Sequence, residues 1–312
     1  MKKRVLVTGG AGFIGSHLVQ RLLAEDCTVL VLDDLSSGSR EVVAEAATLV
    51  VGDVRDKKLL NELCEGCQYV FHMGAFVNLP GSFVRRDECI SINVDGTRCV
   101  LQAALEQGVQ KVVFSSTSAL YPDQPIGPKR EQGPVATESP YAESKWAGEQ
   151  LVRQYRDKGL EGVALRYFNV FGPGQPADSD YAAVIPLFID RAIKGDRLSI
   201  CGDGTQTRDF VYVEDVAGAN WRAVRCPVQG VFNVGTGLDI SILDLANRIC
   251  KAIGREQEYR YIELRQGDAL SQKAQTEQTQ RDLGWSAQWG LDDGLQKTIE
   301  WWQLSEGESV HG

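Results

Sequence analysis

Residues 4–17 read RVLVTGGAGFIGSH, and the fold follows from that stretch. Val5, Leu6 and Val7 make a short apolar run of the kind buried on both faces of a parallel sheet. Gly9, Gly12 and Gly15 follow at G-x-x-G-x-x-G spacing, and Phe13, Ile14, Leu18 and Leu22 then set a helical apolar pattern. The first glycine permits a tight strand-to-helix turn, the second lets a phosphate approach the backbone, and the third lets helix and strand pack closely. The N–H groups at the helix start form an anion site suited to a pyrophosphate. A glycine fingerprint gains meaning from its context: a strand before, a helix after, and an acidic residue about 20 residues on. That residue is Asp33, which ends the run Val29-Leu30-Val31-Leu32. A carboxylate there accepts both ribose hydroxyls of an adenosine and repels a 2′-phosphate, so the residues point to NAD over NADP.

With 312 residues, the chain can build one well-buried core or two lobes that share one. Its net charge of −9 argues against a nucleic-acid or anionic-membrane surface. No run of 18 apolar residues occurs, so no transmembrane helix is expected. The start MKKRVLVTGG is basic but lacks an h-region and a cleavage site. Eight cysteines are scattered through the chain. Cys64 and Cys67 are spaced C-x-x-C, but a structural zinc site would need more ligands. The expectation is reduced thiols in a cytoplasmic protein with no metal.

Apolar runs at 5–7, 29–32, 48–51, 69–71 and 111–115 alternate with helical patterns near 12–25, 56–65 and 91–107. This alternation predicts an α/β, doubly wound parallel sheet with helices on both faces. Asp53 and Val54 follow the third strand, at the adenine end of the expected cleft. Asp53 either bonds the adenine amino group or caps the helix that starts near Asp56. His72-Met73-Gly74-Ala75-Phe76 follows the fourth strand with small residues where backbone passes close to a ligand. His72 reads as a packed histidine. Asn93 reads as the N-cap of the helix over 93–107, beside the expected active site.

The fifth strand ends in Ser115-Ser116-Thr117-Ser118, hydroxyls at the carboxyl end of a parallel strand, where ligands of doubly wound sheets bind. Tyr141 and Lys145, in Tyr141-Ala142-Glu143-Ser144-Lys145, are four apart on a helix and share one face. A free phenol, with pKa about 10, is a poor base at neutral pH. A neighbouring ammonium and a nicotinamide cation both favour the phenolate and draw that pKa toward neutrality.

Together these segments resemble the extended short-chain dehydrogenase/reductases, in particular the nucleotide-sugar epimerase/dehydratase group. The resemblance rests on TGGAGFIGSH, Asp33, GDVRD (52–56), NVDGT (93–97), SSTSALYP (115–122), YAESK (141–145), RYFNVFGP (166–173), GDGTQTRDFVYVEDV (202–216) and FNVGTG (232–237), and covers nearly the whole chain. It implies a Rossmann domain from 1–168 and 209–236, and a smaller, discontinuous C-terminal α/β substrate domain from 169–208 and 237–312. It implies that Thr117 donates to the sugar O4, that Tyr141 is the base, and that Lys145 lowers its pKa and bonds the nicotinamide ribose. NAD would lie along Gly9, Gly12, Phe13, Ile14, Gly15, Asp33, Asp53, Val54, Met73, Ala75, Ser115 and Tyr167, with Tyr167 and Phe168 in a loop beside the nicotinamide. Ser82, in Leu79-Pro80-Gly81-Ser82, would touch the sugar. Asn169, Arg208 and Arg265 would meet the substrate diphosphate, and Asp268 the uridine ribose. Arginine suits bidentate phosphate contacts.

Family members that eliminate water carry Asp-Glu after the catalytic threonine, and this chain has Ser118 and Ala119. An alanine cannot move a proton. The simplest outcome is then 4-epimerisation of a UDP-hexose through a transient 4-keto sugar, with NAD as a resident hydride carrier. The alternatives within the family are a nucleotide-sugar dehydratase, a UDP-glucuronate 4-epimerase or a reductase. Gly172-Pro173-Gly174-Gln175 lacks the arginine of the relatives' G-P-R-Q, which disfavours a carboxylated sugar. Outside the family, the alternative is a non-catalytic NAD(H)-binding sensor or scaffold. A homodimer through the helix over 143–158, with Trp146 and Tyr155, is also expected from the resemblance.

Overall fold

The apolar runs become strands of one sheet: β1 (Arg4–Thr8), β2 (Thr28–Asp33), β3 (Thr48–Val51), β4 (Tyr69–His72) and β5 (Lys111–Thr117). This computed structural model describes residues 2–177, 183–256, 258–263 and 270–309. Later strands are β6 (Pro128–Lys129), β7 (Glu161–Tyr167), β8 (Asn169–Phe171), β9 (Leu198–Cys201), β10 (Thr207–Arg208), β11 (Phe210–Tyr212), β12 (Gly230–Val234), β13 (Ile240–Ser241), β14 (Tyr259–Ile262) and β15 (Ser271–Ala274). The helices are α1 (Phe13–Ala24), α2 (Lys57–Cys64), α3 (Leu79–Val84), α4 (Arg86–Ile90), α5 (Gly96–Glu106), α6 (Pro140–Arg156), α7 (Val184–Lys194), α8 (Val213–Arg225), α9 (Ile242–Ile253) and α10 (Leu291–Ser309).

Seven strands pair in parallel in the order β12-β7-β5-β4-β1-β2-β3. The order reverses between β1 and β4, and a crevice opens at the carboxyl ends of strands at such a switch point. One face of the sheet packs against α1 and α8 around Leu18, Val19, Leu22, Val216 and Trp221. The other packs against α2, α5 and α6 around Leu60, Val100, Leu101, Ala104 and Leu151. A fully buried Leu or Val contributes on the order of 1.5–3 kcal/mol, which accounts for the unbroken apolar character of β1 and β2. A third core, from α7, α9, α10 and the short strands beside them, centres on Phe188, Ile189, Leu245, Ile249 and Ile299. A small sheet, β13-β10-β15-β6, joins the loop after β5 to this lobe.

Local sequence explains the helix starts. Ser139 accepts the Ala142 N–H and Pro140 opens α6, so cap and fixed φ both favour a helix there. Asp56 caps α2 by accepting the Leu59 N–H at 3.0 Å, so the capping alternative for Asp53 is replaced by its neighbour. Asn93 is not an N-cap. α4 continues through a π-turn at Ser91–Asp95 into α5, which leaves Asn93 inside a continuous helix. Such turns recur at functional sites because they re-aim one side chain.

Candidate active site

The glycine turn has the geometry a dinucleotide requires. Gly9 has φ +72, and a Cβ on it would lie 2.6 Å from the Gly74 amide nitrogen. A Cβ on Gly15 would lie 2.0 Å from the Gly9 carbonyl oxygen, whereas one on Gly12 would meet nothing nearer than 3.4 Å. The first and third glycines are therefore demanded by the fold, and the second leaves open the side from which a phosphate approaches. No side chain caps α1 at Gly12, so the N–H groups of Phe13 and Ile14 are available to an anion. Asp33 accepts the Ala11 N–H through Oδ2 and the Leu35 N–H through Oδ1, each at 2.9 Å. A carboxylate has about four lone-pair sites, so two ribose hydroxyls still fit. Val54 packs beside Gly74 and Gly96, and Met73 is tied to β1 by its N–H to the Thr8 carbonyl at 3.1 Å. Asp53 is partly exposed; the Arg55 guanidinium beside it holds its carboxyl below the usual range.

At the carboxyl end of β5, Tyr141 and Thr117 are hydrogen-bonded through their side chains. Lys145, one turn along α6, donates from Nζ to the Ser115 carbonyl at 2.9 Å. Burial pushes the Tyr141 phenol up to about 12, against the opposing pull of Thr117. Burial also brings the Lys145 ammonium down to about 8. The shift of the phenol is set by burial and by Thr117, while the hydrogen bond of the lysine goes to the strand. Ser118 and Ala119 form a short turn after Thr117, whose hydroxyl accepts the Ala119 N–H at 3.1 Å.

Behind this pair lies a buried polar scaffold. Ser82 is fully buried; its hydroxyl donates to the Leu79 carbonyl at 2.5 Å and accepts the Tyr141 N–H at 3.2 Å. Ser82, expected at the sugar, thus supports the backbone of Tyr141. Asn93 accepts the Phe76 N–H at 2.7 Å and donates to the Phe76 carbonyl and the Ser144 hydroxyl at 3.0 and 2.8 Å. That clamp joins the π-turn to the 73–76 segment, where Ala75 lies, and to α6. His72 is packed between the hydroxyls of Thr8 and Thr97, at 2.7 and 2.9 Å. The Thr97 hydroxyl donates to the Asn93 carbonyl, so the network assigns the proton to His72 Nε2 and leaves Nδ1 to accept from Thr8.

Tyr167 ends β7 instead of lying in a loop. Its ring joins the core and its hydroxyl donates to Asn220 Oδ1 at 3.0 Å. Ser115, near the end of β5, lies beside that hydroxyl and opposes the upward shift that burial gives it. Phe168 follows, stacked on Tyr121. Asn169 begins β8, with its Nδ2 donating to the Asp209 carbonyl at 3.2 Å. Arg208 lies on β10 and donates from Nη1 to the Thr207 carbonyl at 2.8 Å. Arg265 and Asp268 lie outside the described residues.

Two features were not singled out from the sequence. Glu149, four residues beyond Lys145, accepts from the Ser116 hydroxyl at 2.6 Å and from two nitrogens of Arg166, each at 2.8 Å. Tyr141, Lys145 and Glu149 therefore form one stripe, and the spacing YAESKWAGE could have revealed it. Lys129 is the second, buried in what reads as a polar loop.

The profile described as the NAD dependent epimerase/dehydratase family matches residues 5–235. The UDP-glucose 4-epimerase of Mycolicibacterium smegmatis is 37% identical over 309 residues, covering 96% of this chain and 98% of that protein. The structure of the UDP-N-acetylglucosamine 4-epimerase of Methanobrevibacter ruminantium in complex with UDP-N-acetylmuramic acid aligns with TM-score 0.94 and 35% identity, over 98% of this chain and all of that one. The Thermotoga maritima UDP-glucose 4-epimerase with UDP-glucose aligns with TM-score 0.94 and 32% identity, over 97% of this chain and 99% of that one. With this match in sequence, fold and glycine-turn geometry, the chain belongs to the NAD-dependent epimerase/dehydratase family.

Proposed function

We propose that this enzyme interconverts the C4 epimers of a UDP-hexose, UDP-glucose with UDP-galactose or their N-acetyl forms, by way of a transient 4-keto sugar. The observation that carries this reading is the Tyr141–Thr117 hydrogen bond next to Ala119. Bound NAD+ supplies a hydride acceptor that can return the same hydride, and a positive charge that favours the phenolate. Tyr141 takes the O4 proton and later gives it back, and Thr117 donates to O4. Lys145 holds α6 to β5 and contributes its field to the phenol. Ser118 and Ala119 offer no acid or base for losing water, so the keto sugar has only to turn over and be reduced on its other face. Arg208, with Arg265, grips the diphosphate, Asn169 approaches it, and Asp268 meets the uridine ribose. Ser82 acts through the Tyr141 amide.

The same reading includes a homodimer through the helix over 143–158, where Trp146 is partly exposed. It places the enzyme in the cytoplasm, where eight free cysteines stay reduced. No helix among the described residues is long and apolar enough to cross a membrane.

Incubation with UDP-glucose, UDP-galactose and their N-acetyl forms tests the reaction. Epimerisation gives the C4 epimer at unchanged mass, and a product lighter by one water would assign a dehydratase instead. Tyr141→Phe should lose most turnover while retaining NAD.

A further inference from the structure

Lys129 is buried, and among the described residues its ammonium makes no hydrogen bond to a carboxylate. Nζ donates to the carbonyls of Pro122, Asp123 and Pro125 at 2.7, 3.0 and 3.1 Å. An ammonium has three donors and no acceptor, so these three bonds satisfy it fully, and a buried charge is tolerable only when so satisfied. The loop that follows Tyr121 is thereby folded inward around a cation supplied by its own far end.

The loop is tied onward. Asp123 Oδ1 accepts the Leu270 N–H at 2.8 Å. The Leu270 carbonyl accepts the Thr207 N–H at 3.0 Å, and Thr207 precedes Arg208 on β10. The backbone of Lys129 pairs with Ala274 in the β6–β15 ladder, and β15 pairs with β10 through Gln272 and Arg208. The carbonyl of Lys129 accepts from Asn233 Nδ2 at 2.8 Å, and Asn233 Oδ1 accepts the Tyr121 hydroxyl at 2.6 Å. Both ends of the loop are therefore anchored, and the turn 122–125 between them is held by the ammonium.

We propose that Lys129 is a positioning residue for the nucleotide diphosphate: its ammonium sets the turn 122–125, and through Asp123 and Leu270 that turn sets the strand carrying Arg208. The inference rests on the role proposed for Arg208 and asks what holds that arginine in place. It concerns binding of the nucleotide and not the proton transfer at Tyr141, because the path runs away from α6.

The test uses the NAD-loaded full chain and UDP as probe, with affinity read by titration calorimetry. Lys129→Met removes the cation at similar length, and Asp123→Ala cuts the tie to Leu270 from a partly exposed position. Each should weaken UDP binding about tenfold while leaving bound NAD unchanged. In an Arg208→Gln background the same changes should add less than about twofold, because both act through that side chain. Wild-type UDP affinity in both variants would overturn the inference, and so would full additivity with Arg208→Gln. Should Lys129→Met fail to fold, Asp123→Ala alone and combined with Arg208→Gln decides. Turnover of a UDP-hexose by the wild type is read separately. Its absence with UDP binding intact would count against the proposed reaction and leave the Lys129 result standing; a wild type that does not bind UDP would overturn both.

Discussion

Lys145 and Tyr141 stand one turn apart on α6, yet the ammonium bonds the Ser115 carbonyl at 2.9 Å and lies 5.9 Å from the centre of the phenol ring. The lysine thus does two things: it fastens α6 to the end of β5 and it places a charge near the phenol. With Tyr141 raised to about 12 by burial and Lys145 lowered to about 8, the phenol is protonated at neutral pH until more positive charge is brought near. Turnover should therefore climb as pH rises toward the lysine's lowered pKa of about 8, above which its charge is lost and its help to the phenolate with it. Removing the lysine's charge should move that climb to higher pH, and Lys145→Met should lower kcat at neutral pH by about 10²–10⁴. A Lys145→Met profile superimposable on the wild type in shape would show that the charge has no part in it.

His72 gives an acid-stability prediction. Burial, aided by the Lys145 charge, lowers its pKa from an ordinary 6.5 to about 3. Between those values the unfolded chain binds a proton that the folded chain refuses, so stability falls as pH falls through the window. The slope from this one group is at most about 1.4 kcal/mol per pH unit. His72→Gln keeps polar atoms near Thr8 and Thr97 but cannot titrate. Its urea midpoint should start lower than that of the wild type and depend less on pH between 6.5 and 5. Equal slopes in the two proteins would mean that the histidine is not the acid-sensitive group.

The strands were legible in the sequence where physics leaves little choice. A run buried on both faces has to be continuously apolar, and the run over 5–7 lies within β1, where Val5, Leu6 and Val7 are fully buried. The α3 and α4 helices were not legible: Leu79-Pro80-Gly81-Ser82 carries the residues of a turn, and the helix forms because Asn78 caps it and Ser82 bonds inward. Lys129 reads as a solvated charge in a Pro- and Gly-rich loop, and only the inward-facing carbonyls of that loop make its burial possible. That Tyr141 and Lys145 share one helix was legible because their spacing is local. The Ser82–Tyr141 and Glu149–Arg166 contacts were not, since each joins elements whose approach depends on the whole sheet.

Glu149 and Arg166 supply a stability prediction. Their side chains are 2% and 1% exposed and joined by two 2.8 Å bonds. Removing one partner strands the other charge away from water, so Glu149→Gln or Arg166→Met should cost about 3–5 kcal/mol. Replacing both should cost less than the sum of the two single changes, because no lone charge remains. Chemical denaturation of the three variants measures this directly, and strict additivity would mean that the pair is not coupled.

The glycine turn separates a steric role from a binding role. A methyl on Gly15 would be driven to 2.0 Å from the Gly9 carbonyl oxygen, so Gly15→Ala should disrupt the turn itself and lower both thermal stability and NAD content. A methyl on Gly12 would meet its nearest neighbour at 3.4 Å, ordinary contact, and the residue is extended at φ −85 and ψ 175. No backbone strain opposes that change. Gly12→Ala should therefore leave Tm close to wild type, the smaller unfolded-state entropy of alanine, on the order of 0.4–1 kcal/mol, being set against its poorer fit at the N-cap of α1. Its effect should appear in the cofactor, because the added methyl stands where a pyrophosphate has to reach the Phe13 and Ile14 N–H groups. The expected result is purified protein that is folded but depleted in NAD. A Gly12→Ala protein that keeps its full complement of NAD would place the phosphates elsewhere on the turn.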